Sequence, residues 1–260
     1  MMFQGLEDVL YRNDGRALRR NNNHDVLDYV SSTDSVEDEN IQLISDLAVA
    51  VNVILKSNPG LLDGMLDKIF RFHMEGIELI QSGRLCGVHS SRFLRKIESN
   101  LNSYAGFIAD QQYLNTEETW WLTMKYQCYF TSAEMSVKTN PRHSMHAYNM
   151  AHNASHAVYN TFEDSDFDDR TLWCGRWYKS SKRSAVMGER IDPRHAARMS
   201  SFFASAAHSM YVLTRNKVWA KRAVRGYTKF LDYFSTNLEP RMCNVMNRVE
   251  TKKNWIEAFV

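Results

Sequence analysis

Four histidines lie close together between residues 142 and 156, and their side chains could ligate a metal ion or carry protons. On a helix, His143 and His146 lie about 60° apart, and His152 and His156 lie about 40° apart on roughly the opposite side. The four therefore cannot converge on one ion from a single helix. Either pair could bind zinc together with Cys128, or with an acid that folding brings close. The alternative is a set of half-buried histidines at a helix interface, which would protonate below neutral pH.

The candidate zinc ligands are Cys128, His143 and His146. Their spacing is wider than in dedicated zinc motifs, where Cys and His follow one another closely. We therefore expect no cofactor and no stoichiometric zinc requirement for folding, and zinc is the one metal that the residues suggest.

The four cysteines are scattered, which is typical of reduced intracellular thiols rather than a disulfide framework. They are Cys86, Cys128, Cys174 and Cys243.

Catalytic motifs are absent from the sequence. It contains no H-E-x-x-H, no G-x-x-x-x-G-K-[ST], no G-x-G-x-x-G and no G-x-S-x-G. Asp166, Asp168 and Asp169 could hold a divalent cation, although a run of acids is more often a solvated loop. A metal-dependent helical hydrolase that combines the histidines with Asp166 or Asp168 is the enzymatic alternative. Because no nucleophile is paired with a base, we expect a protein that is not an enzyme.

Clusters of cations are the more informative chemistry. The second of three clusters is interleaved with Trp177 and Tyr178, a pattern that suits single-stranded nucleic acid through stacking and phosphate pairing. The same cations would also suit an anionic bilayer. The three clusters are Arg92, Arg95 and Lys96; Arg176, Lys179, Lys182 and Arg183; and Lys217, Lys221, Arg222, Arg225 and Lys229.

Residues 217–234 predict the helix that best positions such cations. At about 100° per residue, the five cations of the third cluster share one side. The opposite side carries Trp219, Ala223, Tyr227, Phe230, Leu231 and Phe234. We expect the aromatic side to fill a core and the basic side to meet an anion, and the alternative is that the basic side is simply solvated.

The composition favours an all-α protein. The chain has 260 residues, of which only 11 are Gly and 4 are Pro, and few such breakers interrupt its helix-forming residues.

The net charge of +2 is unevenly placed. Residues 1–130 carry 12 Lys/Arg against 18 Asp/Glu, whereas residues 176–253 carry 17 against 5. Such a molecule could bind a polyanion with one end, or stack head to tail with copies of itself.

The domain organisation follows from breaks in pattern and charge. The apolar residues 41–55 predict a central buried helix that is too short to span a bilayer. The acidic residues 163–170 predict a linker or exposed loop. We therefore expect a helical domain over residues 1–162, a linker or insertion over 163–192, and a basic helical domain over 193–260.

Short motifs along most of the chain carry a resemblance to a known family. They are Leu6-Glu-Asp-Val9, residues 43–55 with Asn58-Pro-Gly60, residues 65–68, Ser103-Tyr-Ala-Gly106, Thr116-Glu-Glu118 leading to Cys128, His143 and His146, Arg194-His195 and Arg198-Met199. In this order they are similar to motifs of the matrix protein of orthomyxoviruses. Cys128, His143 and His146 resemble that family's zinc motif. The distance from the influenza type suggests a divergent member like those of thogotoviruses or quaranjaviruses.

The resemblance implies two packed helical sub-bundles followed by a helical C-terminal domain. It also implies a viral structural protein that polymerises beneath the envelope and binds anionic lipid and the viral ribonucleoprotein or RNA. Viral glycoproteins and a nuclear export protein would be further partners. The implied locations are the virion beneath its envelope and, in the host cell, the cytoplasm, the nucleus and the inner face of the plasma membrane.

The chain departs from the family at three places. The second cysteine of the zinc motif falls at Thr131, and the family's basic cluster falls on residues 74–78, which are not basic. Residues 157–190 read as an insertion. A nucleocapsid-type RNA-binding protein is the non-matrix alternative, and it would need a continuous groove lined by cations.

Overall fold

The computed structural model describes residues 38–58, 60, 62–81 and 91–260. Over these residues the chain forms helices and no strand, which confirms the all-α prediction. The described helices are α1 (Asp38–Ser57), α2 (Leu66–Gln81), α3 (Ser91–Thr116), α4 (Thr119–Ser136), α5 (Pro141–Tyr159), α6 (Phe167–Ile191), α7 (Pro193–Thr214), α8 (Lys217–Thr236) and α9 (Cys243–Glu257). None of them is both long and apolar enough to cross a membrane. Leu6-Glu-Asp-Val9 and Cys86 lie outside the described residues.

The contacts divide the chain into two compact units, Met1–Gln112 and Tyr113–Val260. In the first unit, α1, α2 and α3 share an apolar core that includes Ile44, Phe72 and Leu101. The helix predicted over residues 41–55 is confirmed as α1. It is buried along one side only, because Val49 and Val53 are exposed.

In the second unit, each helix from α4 to α9 packs against the next one along the chain. Consecutive helices are antiparallel, so alternate helices run parallel and form two layers. Ring contacts between α4 and α6 (Tyr126–Trp173) and between α6 and α8 (Tyr178–Trp219) define the first layer. The second layer contains α5, α7 and α9. We call the layer of α4, α6 and α8 the even layer, and the other the odd layer.

Local sequence signals explain where two helices of the second unit begin. Asn140 and Asp192 each accept a hydrogen bond from the backbone N–H three residues later, at 3.1 Å and 2.9 Å. Each is followed by a proline at the first helical position, where a missing N–H costs nothing. The Asp192 cap starts α7 directly after α6, so that α7 returns the chain along α6 and the next helix, α8, can lie beside α6.

The predicted linker over residues 163–192 needs correction. Residues 163–166 do form an exposed turn, but α6 occupies Phe167–Ile191 and lies within the core of the second unit. Its buried side is rich in small residues such as Ser180, Ser181 and Ala185. These residues let α5 and α7 approach closely, yet they leave no apolar period in the sequence. The division at residues 112 and 113 also differs from the predicted boundary at residues 162 and 163.

Candidate anionic-surface interface

Helix α8 shows the two sides that its sequence predicts. Tyr227, Phe230 and Phe234 are buried to 1% exposure or less, whereas the cations of the third cluster are all exposed. Asn216 caps the helix, because its side chain accepts a hydrogen bond of 2.9 Å from the N–H of Val218. The core therefore fixes the rotation of α8, and its basic side faces outward from the even layer.

Helix α6 directs the second cluster outward in the same way. Lys179, Lys182 and Arg183 are exposed, and Arg176 is half-buried. Arg190 was not among the predicted site residues, but it lies seven residues after Arg183 and thus shares its stripe. That spacing was the signal that could have found it.

The two clusters meet on one surface. The Tyr178 ring lies between them, with Nζ of Lys182 5.7 Å and Cζ of Arg222 5.6 Å from its centroid. Further along, Nζ of Lys229 donates to Oε1 of Glu189 at 2.7 Å. We call this surface of the even layer the basic face. Its cations are Arg176, Lys179, Lys182, Arg183, Arg190, Lys217, Lys221, Arg222, Arg225 and Lys229.

Most of this charge is not neutralised within the second unit. Arg183 pairs with Glu134 at 2.9 Å, and Lys229 pairs with Glu189 at 2.7 Å. The other eight cations of the basic face have no carboxylate partner among the described residues. Aromatic rings hold several of them, as Arg176 lies 4.2 Å from the Trp173 ring centroid and Lys179 lies 4.6 Å from that of Phe130. The face therefore carries a large excess of positive charge, and aromatic rings hold part of it in place.

The aromatic residues of the second cluster are not available for base stacking, contrary to the sequence interpretation. Trp177 is 5% exposed and points away from the basic face, with its ring 4.3 Å from that of His156. Tyr178 is 9% exposed, and cations lie over its ring. The two rings within the second cluster therefore do not offer an open stacking surface.

The first cluster belongs to the other unit. Arg92, Arg95 and Lys96 lie in the first two turns of α3, and all three are exposed. They form a separate candidate for anion binding.

The candidate zinc ligands are not gathered into a site. Among the described residues, no group of three or more His, Cys, Asp or Glu side chains could hold a metal ion. Cys128 is buried, and desolvation raises the pKa of its thiol to about 12, whereas a zinc ligand must be a thiolate. Nε2 of His143 lies 2.9 Å from Oγ of Ser132, and His146 is exposed.

The other histidines of the segment lie at helix interfaces. His152 is buried, with Nδ1 2.9 Å from Oγ of Ser181 on α6 and its ring 4.7 Å from that of Phe202 on α7. Burial, followed by the charges of His156 and His195, lowers the pKa of His152 to about 3. His152 and His156 therefore pack a three-helix contact in the neutral state.

The acidic candidates lie at the start of α6, whereas the four histidines of the segment lie on α5. Asp168 and Asp169 are exposed in the first turn of α6, where carboxylates favour the positive end of a helix. Asp166 accepts a hydrogen bond of 3.1 Å from the N–H of Glu163. These contacts give the acids a local role in starting α6.

Comparison with known proteins identifies no family. No family model matches the chain, and no curated protein matches it at a significant level.

Proposed function

We propose that this protein is a structural protein of the matrix type, which attaches to an anionic membrane surface through the basic face and assembles with copies of itself. The observation that carries the proposal is the basic face, where eight cations lack a carboxylate partner among the described residues and four of them contact aromatic rings. The collinear motifs that resemble orthomyxovirus matrix proteins support the same function.

The charge of the basic face is sufficient for reversible binding. A cation close to an anionic bilayer contributes about 1 kcal/mol. Several cations on a single rigid layer can therefore bind together, because the fold already fixes their orientation and little further entropy is lost for each one. The aromatic contacts of Arg176, Lys179 and Arg222 reduce the side-chain entropy that binding would otherwise cost.

The shape and remaining side chains of the face favour a bilayer over single-stranded RNA. The cations lie on the outside of a layer of parallel helices, which suits a broad surface. Leu172, Val186 and Val218 lie among them and are 49%, 54% and 50% exposed, so apolar contact with the lipid interface can add to the charge. Since Trp177 and Tyr178 are buried, neither ring is open to the base stacking on which single-strand binding relies. RNA is the second ligand that the charge suits, through its phosphates.

Self-assembly is supported by the uneven charge of the sequence. Residues 1–130 carry a net charge of −6, and residues 131–260 carry +8. Opposite charges on two parts of a chain favour head-to-tail contacts, which are heterologous and can continue into an open polymer. On this proposal the protein is not an enzyme, and its partners are its own copies, anionic lipid and the ribonucleoprotein.

A charge-removal experiment tests the function. Arg190, Lys221 and Arg225 lie on both helices of the basic face and have no described ion pair or ring contact, so changing all three to Gln should spare the fold. Binding to phosphatidylserine vesicles should weaken about a hundredfold at low salt, at about 1 kcal/mol for each cation.

The matched control removes the same charge elsewhere. Arg198, Arg241 and Arg248 are exposed and lie on α7, the turn before α9, and α9. Changing these three to Gln should leave vesicle binding within a few-fold of the wild type. Equal losses in the two triple variants would show that net charge, and not the basic face, binds the vesicle. A loss confined to a single-stranded RNA oligonucleotide would assign the face to RNA instead.

A further inference from the structure

A cleft of about 610 Å³ opens over α7 in the odd layer of the second unit. Its lining includes Ser205, Ser209 and Val212 of α7, Trp177 of α6 and Lys252 of α9. This volume is typical of sites for small molecules. The cleft uses none of the cations of the basic face.

Polar atoms without partners are concentrated around this cleft. Buried side-chain atoms in native proteins are nearly always hydrogen-bonded, so each exception calls for an explanation. Among the described residues, the unpartnered buried atoms include Nε1 of Trp177, Nδ1 of His208 and Nε of Arg170. All three belong to residues that line the cleft. The indole and guanidinium groups can only donate, so they require an acceptor.

The charges of the cleft specify the kind of acceptor. Lys252 supplies an ammonium group, and Arg170 supplies a guanidinium whose Nη1 is held by the exposed Asp164. Burial and the nearby Lys252 both lower the pKa of His208, so its ring is neutral at neutral pH and can donate or accept according to its tautomer. Two cationic side chains, Lys252 and Arg170, line the cleft against the single carboxylate of Asp164. An anion with several acceptor oxygens therefore fits better than a cation.

The apolar part of the lining indicates that the ligand has a body as well as a charge. The side chains of Val212 and Leu213 line the cleft beside the rings of Tyr159, Trp177 and Tyr227. A planar or apolar group would remove this surface from water. We propose that the cleft binds a small organic anion, with its phosphate or carboxylate group near Lys252 and its planar or apolar body against α7 and Trp177.

Nuclear magnetic resonance of the full-length, nitrogen-labelled protein can test this site through the indole N–H of Trp177. The signal is assigned as the one lost in Trp177→Phe. Phenyl phosphate should shift the Trp177 signal in a saturable way, inorganic phosphate should bind more weakly, and the neutral benzyl alcohol should have little effect. No saturable shift at millimolar phenyl phosphate would overturn the proposal. Equal binding of inorganic phosphate would overturn the role of the planar body.

Two neighbouring lysines provide the matched variants. Lys252→Gln should weaken phenyl phosphate binding about tenfold or more, since it removes a charge-assisted hydrogen bond. Lys253 pairs with Glu257 at 3.0 Å and does not line the cleft, so Lys253→Gln should bind as the wild type does. Equal affinities in the two variants would contradict the assignment of Lys252. Because the basic face is intact in both, vesicle binding should be retained whichever result is obtained.

Discussion

Arg222 illustrates how a single residue contributes to the basic face. Its guanidinium carbon lies 4.4 Å from the ring centroid of Trp219 and 5.6 Å from that of Tyr178. Each such contact at an exposed site is worth about 0.5–1 kcal/mol. The rings therefore hold the cation in place while its charge remains exposed. An ordered cation of this kind loses less entropy on meeting a phosphate than a freely rotating one.

His152 illustrates the opposite case, a titratable residue that the fold keeps neutral. Oγ of Ser181 donates to the carbonyl oxygen of Trp177 at 2.6 Å. Because the hydroxyl proton of Ser181 is used in that bond, Oγ of Ser181 must accept from Nδ1 of His152, 2.9 Å away. This assigns the ring proton to Nδ1 and makes His152 part of a hydrogen-bonded contact between α5 and α6.

Stability of the fold should depend on pH through His152. Its pKa is about 3 in the folded protein and about 6.5 ordinarily. Above pH 6.5 the ring is neutral in both states, and the contact contributes fully. Below pH 6.5 the unfolded chain takes up a proton that the folded chain does not. The free energy of unfolding should therefore fall as pH decreases from about 6.5 towards 3, by about 1.4 kcal/mol per pH unit from this residue.

Urea unfolding between pH 8 and pH 4.5 measures this dependence. His152→Gln removes the titrating group, so its stability should fall less steeply with acid than that of the wild type, by about one proton. Identical slopes in the two proteins would show that His152 is not the residue responsible.

At the scale of elements, the contact between α7 and α8 depends on Gly226. A methyl group at this position would lie 2.5 Å from Cε2 of Phe203 and 2.8 Å from the carbonyl oxygen of Ser200. Both distances are too short for real carbon contacts. The glycine therefore sets how closely α8 approaches α7, and with it the position of the basic face.

Gly226→Ala should reduce the free energy of unfolding by about 1–3 kcal/mol through overpacking. This would occur although alanine is the better helix former by about 1 kcal/mol. Gly175 on α6 provides the control, because nothing lies within 4 Å of the corresponding methyl position. Gly175→Ala should be neutral or stabilising by up to about 1 kcal/mol. A stable Gly226→Ala variant would mean that the two helices separate easily.

The same elements show what the sequence could reveal. Helix α8 was predictable because its cations and aromatic residues repeat at the helical period. Helix α6 was not, because it buries Ser180, Ser181 and Ala185 rather than large apolar residues. The sequence also could not predict that the two basic clusters share one surface, because this depends on α7 returning the chain so that α8 lies beside α6. The candidate zinc ligands show the same limit: Cys128 and His146 resemble a zinc motif in sequence, but folding buries Cys128 and exposes His146.

At the scale of the whole molecule, two divisions of the chain make different predictions about its stable fragments. The charge pattern predicts a domain over residues 1–162, whereas the contacts define a unit over Tyr113–Val260. Trp173 of α6 belongs to the same apolar core as Tyr126 of α4 and Tyr148 of α5. A fragment that ends at residue 162 would leave this core uncovered.

We therefore expect the fragment of residues 113–260 to unfold in one cooperative thermal transition. In the fragment of residues 1–162, α4 and α5 lose the cover of α6, so we expect these two helices to show no cooperative transition. Circular dichroism on both purified fragments measures the difference. A cooperative 1–162 fragment alongside an unfolded 113–260 fragment would support the sequence-based boundary.

The attachment of the whole protein to an anionic surface is tested most directly by flotation of the wild-type chain with vesicles. We expect the protein to float with phosphatidylserine-containing vesicles at low salt and to remain at the bottom with neutral phosphatidylcholine vesicles. Raising the salt to about 1 M, where the Debye length is about 3 Å, should release it. Flotation with both kinds of vesicle, or with neither, or attachment that salt does not weaken, would contradict an electrostatic role for the basic face.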